Sequence, residues 1–309
     1  MCRFEEFQLV SPADGTVIYG LCALPESRPV AILQLVHGMS EHKERYKPVM
    51  EFLCAAGYTC VIHDHRGHGT HAQILGHMGA PKAGGLIQDI LSVNQWAKSR
   101  FPHLPLFLFG HSMGSLAVRA FIRRYDAGIS GLLVSGCPSY NPGAPLGKGL
   151  SRLMSRFKGD EYRSPLIQHL AFSGNNRAFE PTKSENAWLC SDEAVVTAYD
   201  GDPLCGFPFT LNGFETLFTL MEWVYASTGW AVNQPNLPIY FLSGGDDPCR
   251  ISDKAFEAAQ AHLRKVGYLN VTGRLYPGMR HEILNENGKE AVFQDILEHL
   301  EKWRGGETK

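Results

Sequence analysis

The sequence predicts an α/β fold: a mostly parallel, doubly wound sheet of about eight strands, interrupted by one long insertion. Strand-like and helix-like stretches alternate over residues 1–137 and again over 236–309, the rhythm of a parallel sheet covered on both faces. Between them, over 138–235, the alternation stops. Composition agrees with a packed domain. Of 309 residues 44% are apolar and 19% charged, with a net charge of -2. That much apolar content can bury a sizeable core and excludes a disordered chain. The missing basic excess argues against a nucleic-acid partner held through phosphates.

Each element has its own signal. Asp14-Gly15 separates the runs FEEFQLV and TVIYGLCA and reads as a hairpin turn. PVAILQLV, 29–36, is continuously apolar or β-branched but for Gln34, as a strand buried on both faces requires. Tyr46, Val49, Met50 and Leu53 follow at helical spacing, with Gly57 as a stop. YTCVIHD, 58–64, is the next strand, LIQDILSVNQWAKSR, 86–100, a helix, and PLFLFG, 105–110, a strand. MGSLAVRAFIRRY is helical and SGLLVSG, 130–136, a strand again. The pattern resumes with PIYFLSG, 238–244, then a helix capped by Ser252 and stopped by Gly267. YLNVTGRLYPG and the amphipathic KEAVFQDILEHLEKW close the chain.

The intervening segment opens with PSYNPGAPLGKG, a loop composition, and contains no convincing buried strand. It is rich in aromatics, among them Trp188, Phe207, Phe209, Phe214, Phe218, Trp223 and Trp230. Two compatible expectations follow: an insertion with its own small core, and a lid whose inner face lines an apolar pocket. The start MCRFEEFQLV lacks a signal-peptide pattern, and no apolar run is long enough to span a bilayer. Eight scattered cysteines without a C-x-x-C pair read as reduced thiols, so a cytoplasmic location is expected.

The strongest chemical signal is Gly110-His111-Ser112-Met113-Gly114. The strand before it ends at Gly110 and a helix starts at Met113, so Ser112 is expected on a sharp turn that lifts its hydroxyl above the sheet. The helix N-terminus adds N–H groups and a positive dipole end. A serine hydroxyl is a weak nucleophile until a base takes its proton, so a histidine and an orienting carboxylate must follow, in that architecture as Ser, Asp or Glu, then His. The strand PIYFLSG runs into Gly245-Asp246-Asp247-Pro248, and GRLYPG runs into Met279-Arg280-His281-Glu282. His281 is the expected base. Asp247, at the mouth of its turn, is favoured as the acid, with Asp246 as the alternative. An oxyanion needs two N–H donors: Met113, after the nucleophile, and Met39, in Val36-His37-Gly38-Met39 after an early strand.

The runs HGMSEHKERY, DHRGHGTH, GHSMG, SGGDDP and RHEILNE, in this order and spacing, resemble the α/β-hydrolase superfamily. Within it they resemble the monoacylglycerol lipase and lysophospholipase branch, grouped with serine aminopeptidases. The resemblance covers residues 16–303. It implies Ser112 as nucleophile, Asp247 as acid, His281 as base, Met39 and Met113 as oxyanion donors, and a helical cap over the pocket. Thr70 departs from the serine usual there, and Cys249-Arg250 from the small residues that bacterial relatives often carry.

Other constellations point elsewhere. His63, Asp64, His65, His68 and His71 cluster, but no second ligand group has matching spacing and Gly67 and Gly69 fit a structural turn, so no metal is expected. Arg152, Arg156 and Lys158 read as a solvated face rather than a phosphate site, because 138–235 is net acidic. The expected activity is ester hydrolysis through an acyl-enzyme without a cofactor, on a small-molecule ester with an apolar acyl chain such as a monoacylglycerol or lysophospholipid. Hydrolysis of small or aryl esters, peptide hydrolysis on the same triad, and a non-catalytic ligand-binding receptor are the alternatives. Any transient membrane contact would be made by the cap.

Overall fold

The computed structural model describes residues 2–306. Its sheet opens with the hairpin read around Asp14-Gly15: β1 (Arg3–Val10) pairs antiparallel with β2 (Val17–Leu24), and Gly15 takes the positive φ that the turn requires. β3 (Ala31–Val36), β4 (Tyr58–His63), β5 (Leu106–His111), β6 (Gly131–Ser135), β7 (Ile239–Gly244) and β8 (Val271–Tyr276) complete eight strands. Their order is β1-β2-β4-β3-β5-β6-β7-β8. β2 and β4 are antiparallel, and every pairing from β4 to β8 is parallel. The fold is that of an α/β-hydrolase.

The continuous apolar runs work because strand side chains alternate. In β3, Ile32 and Val36 point to one face while Ala31, Leu33 and Leu35 point to the other. In β5, Leu106 and Leu108 oppose Phe107 and Phe109 in the same way. Five helices cover the faces: α1 (Lys47–Ala55), α2 (Lys82–Arg100), α3 (Met113–Tyr125), and, beyond the insertion, α8 (Asp253–Val266) and α9 (Lys289–Arg304). α1 and α9 bury Val49, Met50, Leu53, Val292, Phe293 and Ile296 on one face; α2, α3 and α8 cover the other.

α2 begins at Lys82, four residues before the apolar run that predicts it. The early turn contains Gly84-Gly85, which sequence logic reads as a breaker. Gly85 is there for space: a Cβ would come within 2.9 Å of the Arg66 guanidinium carbon. That guanidinium lies between Asp14 and Asp89, with Nη1 donating to Asp14 at 2.6 Å and Nε donating to Asp89 at 2.6 Å.

Between β6 and β7 there is no strand. Four helices occupy the segment: α4 (Ala144–Lys158), α5 (Pro165–Phe172), α6 (Glu193–Gly201) and α7 (Leu211–Tyr225). Its aromatics divide between two places. Phe209 and Phe214 join the core cluster of α2 and α3, and Trp188 packs on a small separate cluster of Leu189, Tyr199 and Cys205. All eight cysteines are free. Among the described residues, no helix is long and apolar enough to cross a membrane.

Candidate active site

The site lies beyond the carboxyl ends of the parallel strands, where open α/β sheets place ligands. Ser112 sits between β5 and α3 with φ +53° and ψ -117°, a backbone region that costs a non-glycine residue about 1–3 kcal/mol. Two glycines let the chain turn so sharply. A Cβ on Gly110 would lie 2.5 Å from the Gly114 carbonyl oxygen, and one on Gly114 would lie 2.1 Å from that of Val36. The Ser112 N–H donates to the Ser135 carbonyl at 3.0 Å and ties the turn to β6.

His281 and Asp247 meet behind it. His281 Nδ1 and Asp247 Oδ1 are 2.9 Å apart, and the residues are 2% and 3% exposed. Asp247 caps the short turn Pro248–Arg250, where Oδ1 accepts from the Cys249 N–H at 2.8 Å and Oδ2 from the Ser243 hydroxyl at 2.9 Å. Asp246 is exposed, and its N–H donates to the Met279 carbonyl at 2.9 Å. Gly136 makes room for two imidazoles, since a Cβ there would sit 2.7 Å from His111 Cε1 and 3.1 Å from His281 Cε1. Burial disfavours charge on both partners, but their mutual attraction outweighs it. It lowers the Asp247 carboxyl and raises the His281 imidazole above its ordinary value.

Met39 follows β3 on a loop whose neighbouring amides are committed. The Gly38 N–H donates to Glu41 Oε1 at 2.6 Å and the Ser40 N–H to His68 Nε2 at 3.1 Å. Among the described residues, neither the Met39 nor the Met113 N–H has an acceptor. Ser112, His281, Met39 and Met113 line one cavity of about 860 Å³. Most of its remaining wall comes from the inserted segment, including Phe172, Trp188, Phe207, Leu217, Phe218 and Met221, with His111, Leu116 and Ile251 contributed by the core. The Trp188 ring lies 4.9 Å from that of His281.

A buried ionic cluster, to which sequence reasoning assigned no role, ties the Met39 loop to the His281 loop. Arg45 donates through Nη1 and Nη2 to Glu282 at 2.7 and 2.6 Å, and through Nη1 to Glu41 Oε2 at 2.9 Å. Tyr46 donates its hydroxyl proton to Glu41 Oε1 at 2.9 Å. Burial raises the Glu282 carboxyl, yet Arg45 overrides this and holds it down at about 2. Glu41 is raised, its burial outweighing the attraction of Arg45. The Glu41–Arg45 spacing of four residues inside HGMSEHKERY was the available signal.

The histidines after β4 have structural employment. His37 Nε2 accepts from the His65 N–H at 2.9 Å, His68 holds Ser40, and His71 stacks on Tyr19 with centroids 3.8 Å apart. Burial depresses His63 to about 4 and His65 and His68 to about 3, so they stay neutral. Asp64 accepts from the Lys43 N–H and Nζ. Arg152 pairs with Glu215 at 2.7 Å.

An eight-stranded, mostly parallel sheet with a serine on its strand-to-helix turn defines an α/β-hydrolase. The family model described as "Serine aminopeptidase, S33" matches residues 27–288. Mouse monoglyceride lipase is 31% identical over 306 residues, covering 97% of this chain and 90% of that protein. Phospholipase YtpA of Bacillus subtilis is 27% identical over 86% of this chain and 93% of its own. A carboxyl esterase from Bacillus coagulans, solved with glycerol, superposes with a TM-score of 0.91 at 27% identity, covering 97% and 99% of the two chains. The chain belongs to the serine aminopeptidase S33 family, as a lipase- and esterase-like serine ester hydrolase.

Proposed function

We propose that the enzyme hydrolyses monoacyl lipid esters, of the monoacylglycerol or lysophospholipid kind, with Ser112 as nucleophile, His281 as base and Asp247 as acid. The observation that carries this is the buried 2.9 Å Asp247–His281 pair on the cavity that also holds Ser112 and the two unpaired N–H groups. His281 takes the Ser112 proton as the hydroxyl attacks the ester carbonyl. The Met39 and Met113 N–H groups receive the oxyanion, at roughly 3 kcal/mol each. Asp247 holds the imidazole tautomer and balances its charge. The alcohol leaves with the proton from His281, and water, activated by the same histidine, releases the acid.

Residues 138–235 act as a cap that selects the substrate. α5 turns Phe172 to the cavity and Leu166 and Leu170 to the outside, while α4 exposes Leu146 and Phe157 at 77% and 80%. Arg156 and Lys158 are exposed near the end of the same helix. An apolar outer face with cationic neighbours suits transient contact with a lipid surface. The relatives named for monoglyceride and phospholipid substrates support a lipid ester. Hydrolysis of short esters is the second reading, favoured by the likeness to the Bacillus coagulans carboxyl esterase. Labelling with a fluorophosphonate probe is expected in the wild type and absent in Ser112→Ala; equal labelling of both removes Ser112 as nucleophile. A chain-length series of glycerol, phospholipid and aryl esters is expected to favour the longer acyl chains, and activity confined to the shortest refutes the lipid reading.

A further inference from the structure

Outside the cavity wall, three metal-ligating side chains converge from two distant parts of the chain. His42 follows the Met39 loop; Asp202 and Cys205 follow α6 in the inserted segment. His42 Nε2 and Asp202 Oδ2 are 2.9 Å apart, and with Cys205 Sγ the three donor atoms all lie within 4.8 Å of one another. We propose that His42, Asp202 and Cys205 form a site for a divalent cation of the zinc class, bridging the Met39 loop to the cap.

The Asp202-Pro203-Leu204-Cys205 turn is built to present both of its ligands. Asp202 Oδ1 accepts from the Leu204 N–H at 2.8 Å, which leaves Oδ2 facing His42. The Cys205 N–H donates to the Asp202 carbonyl at 2.9 Å and folds the thiol back towards the same side. Two ligands separated by two residues, with another supplied from elsewhere in the chain, is the spacing that structural zinc sites use. One nitrogen, one oxygen and one sulfur select a borderline-soft cation over magnesium or calcium, which prefer all-oxygen shells. A carboxylate and a thiolate also neutralise the two charges of the ion. His42 and Cys205 are buried, while the Asp202 side chain is 32% exposed, giving the ion an entry and room for a water as fourth ligand.

The location gives the site a role. Beside it the cap already grips Ser40: the Tyr199 hydroxyl and Gly206 N–H donate to the Ser40 carbonyl at 2.8 and 2.9 Å, and the Ser40 hydroxyl donates to the Phe207 carbonyl at 2.7 Å. A bound cation fastens the same seam, next to Met39. On binding, the Cys205 thiol releases its proton to solvent as the sulfur–metal bond forms, and the His42 imidazole shifts the proton that Nε2 shares with Asp202 to Nδ1 by way of solvent, freeing the Nε2 lone pair for the metal. No electron is transferred.

A rival cluster exists in the catalytic site, where Asp247, Cys249 and His281 donors also lie within 4.8 Å of one another. The test separates the two. The full-length, chelator-washed chain is titrated with cobalt(II) chloride, reading the thiolate-to-cobalt charge-transfer absorption, and then with zinc chloride as competitor. The Cys249→Ala protein is expected to bind one cobalt with the full band. Cys205→Ser is expected to lose the band, and Asp202→Asn, at a half-buried position, to keep it while binding zinc at least ~10-fold more weakly. A band that survives in Cys205→Ser but vanishes in Cys249→Ala overturns the proposal, as does the absence of a band in the wild type at equimolar cobalt. The readout is spectroscopic, so its failure leaves the ester-hydrolase reading untouched.

Discussion

The two walls of the cavity are held by different means. On the sheet side, backbone lies against backbone. Gly110 and Gly114 admit carbonyl oxygens where any side chain would collide, and the Arg45 cluster locks the Met39 and His281 loops together. On the cap side, apolar side chains such as Phe172 and Phe218 face the cavity beside polar ones such as Gln168 and Asn176, and short turns reach the Met39 loop through hydrogen bonds such as those of Tyr199, Gly206 and Phe207 with Ser40. The rigid wall suits groups that must be placed within fractions of an ångström, and the side-chain wall suits the role proposed for it, choice of acyl chain, which tolerates repacking.

Substitutions on the two walls should therefore differ in size and kind. Asp247→Asn is expected to lower kcat about 10⁴-fold, while Asp246→Asn leaves most of it intact. The pH profile gives a second readout. His281 must be neutral to accept a proton, and the Asp247 carboxylate raises its protonation range, so wild-type activity should fall on acidification along a limb lying above the ordinary histidine value. In Asp247→Asn that limb should move to lower pH. An unmoved limb would mean that another group governs it.

Gly114→Ala probes the same wall through packing. The added methyl would stand 2.1 Å from the Val36 carbonyl oxygen, and only backbone movement at the root of the Met39 loop can relieve it. A loss of about 3 kcal/mol in urea unfolding is expected, with activity lost in parallel. Phe172→Ala, on the cap, should cost less than either change on the sheet-side wall and act only on some substrates. It is expected to raise KM for long-chain esters about tenfold and leave kcat for the shortest esters within about twofold. An equal effect on both classes would erase the distinction between the walls.

Much of this was legible in the sequence. The alternation of strands and helices is a local property of the chain, and Gly-x-Ser-x-Gly between a strand and a helix carries its geometry with it. The choice between adjacent aspartates was harder, because it depends on a turn of a few residues: Asp247 folds inward to cap Pro248–Arg250 while Asp246 is left in solvent. The start of α2 was hidden because Gly84-Gly85 reads as a break, whereas Gly85 answers to the bulk of Arg66, distant in sequence. The Glu41–Arg45–Glu282 cluster was hidden for a related reason. Its members are 237 residues apart between Arg45 and Glu282, and charged residues normally seek water. The cap face of the cavity follows no period at all.

Ser112 is held at φ +53° by a turn that glycine would occupy without strain. The turn therefore holds strain at the one position where the proposed mechanism needs a hydroxyl. With Ser112 as the proposed nucleophile, exchanging it for glycine is expected to relax the turn and silence the chemistry together, leaving a sturdier protein that binds its ester and does nothing to it.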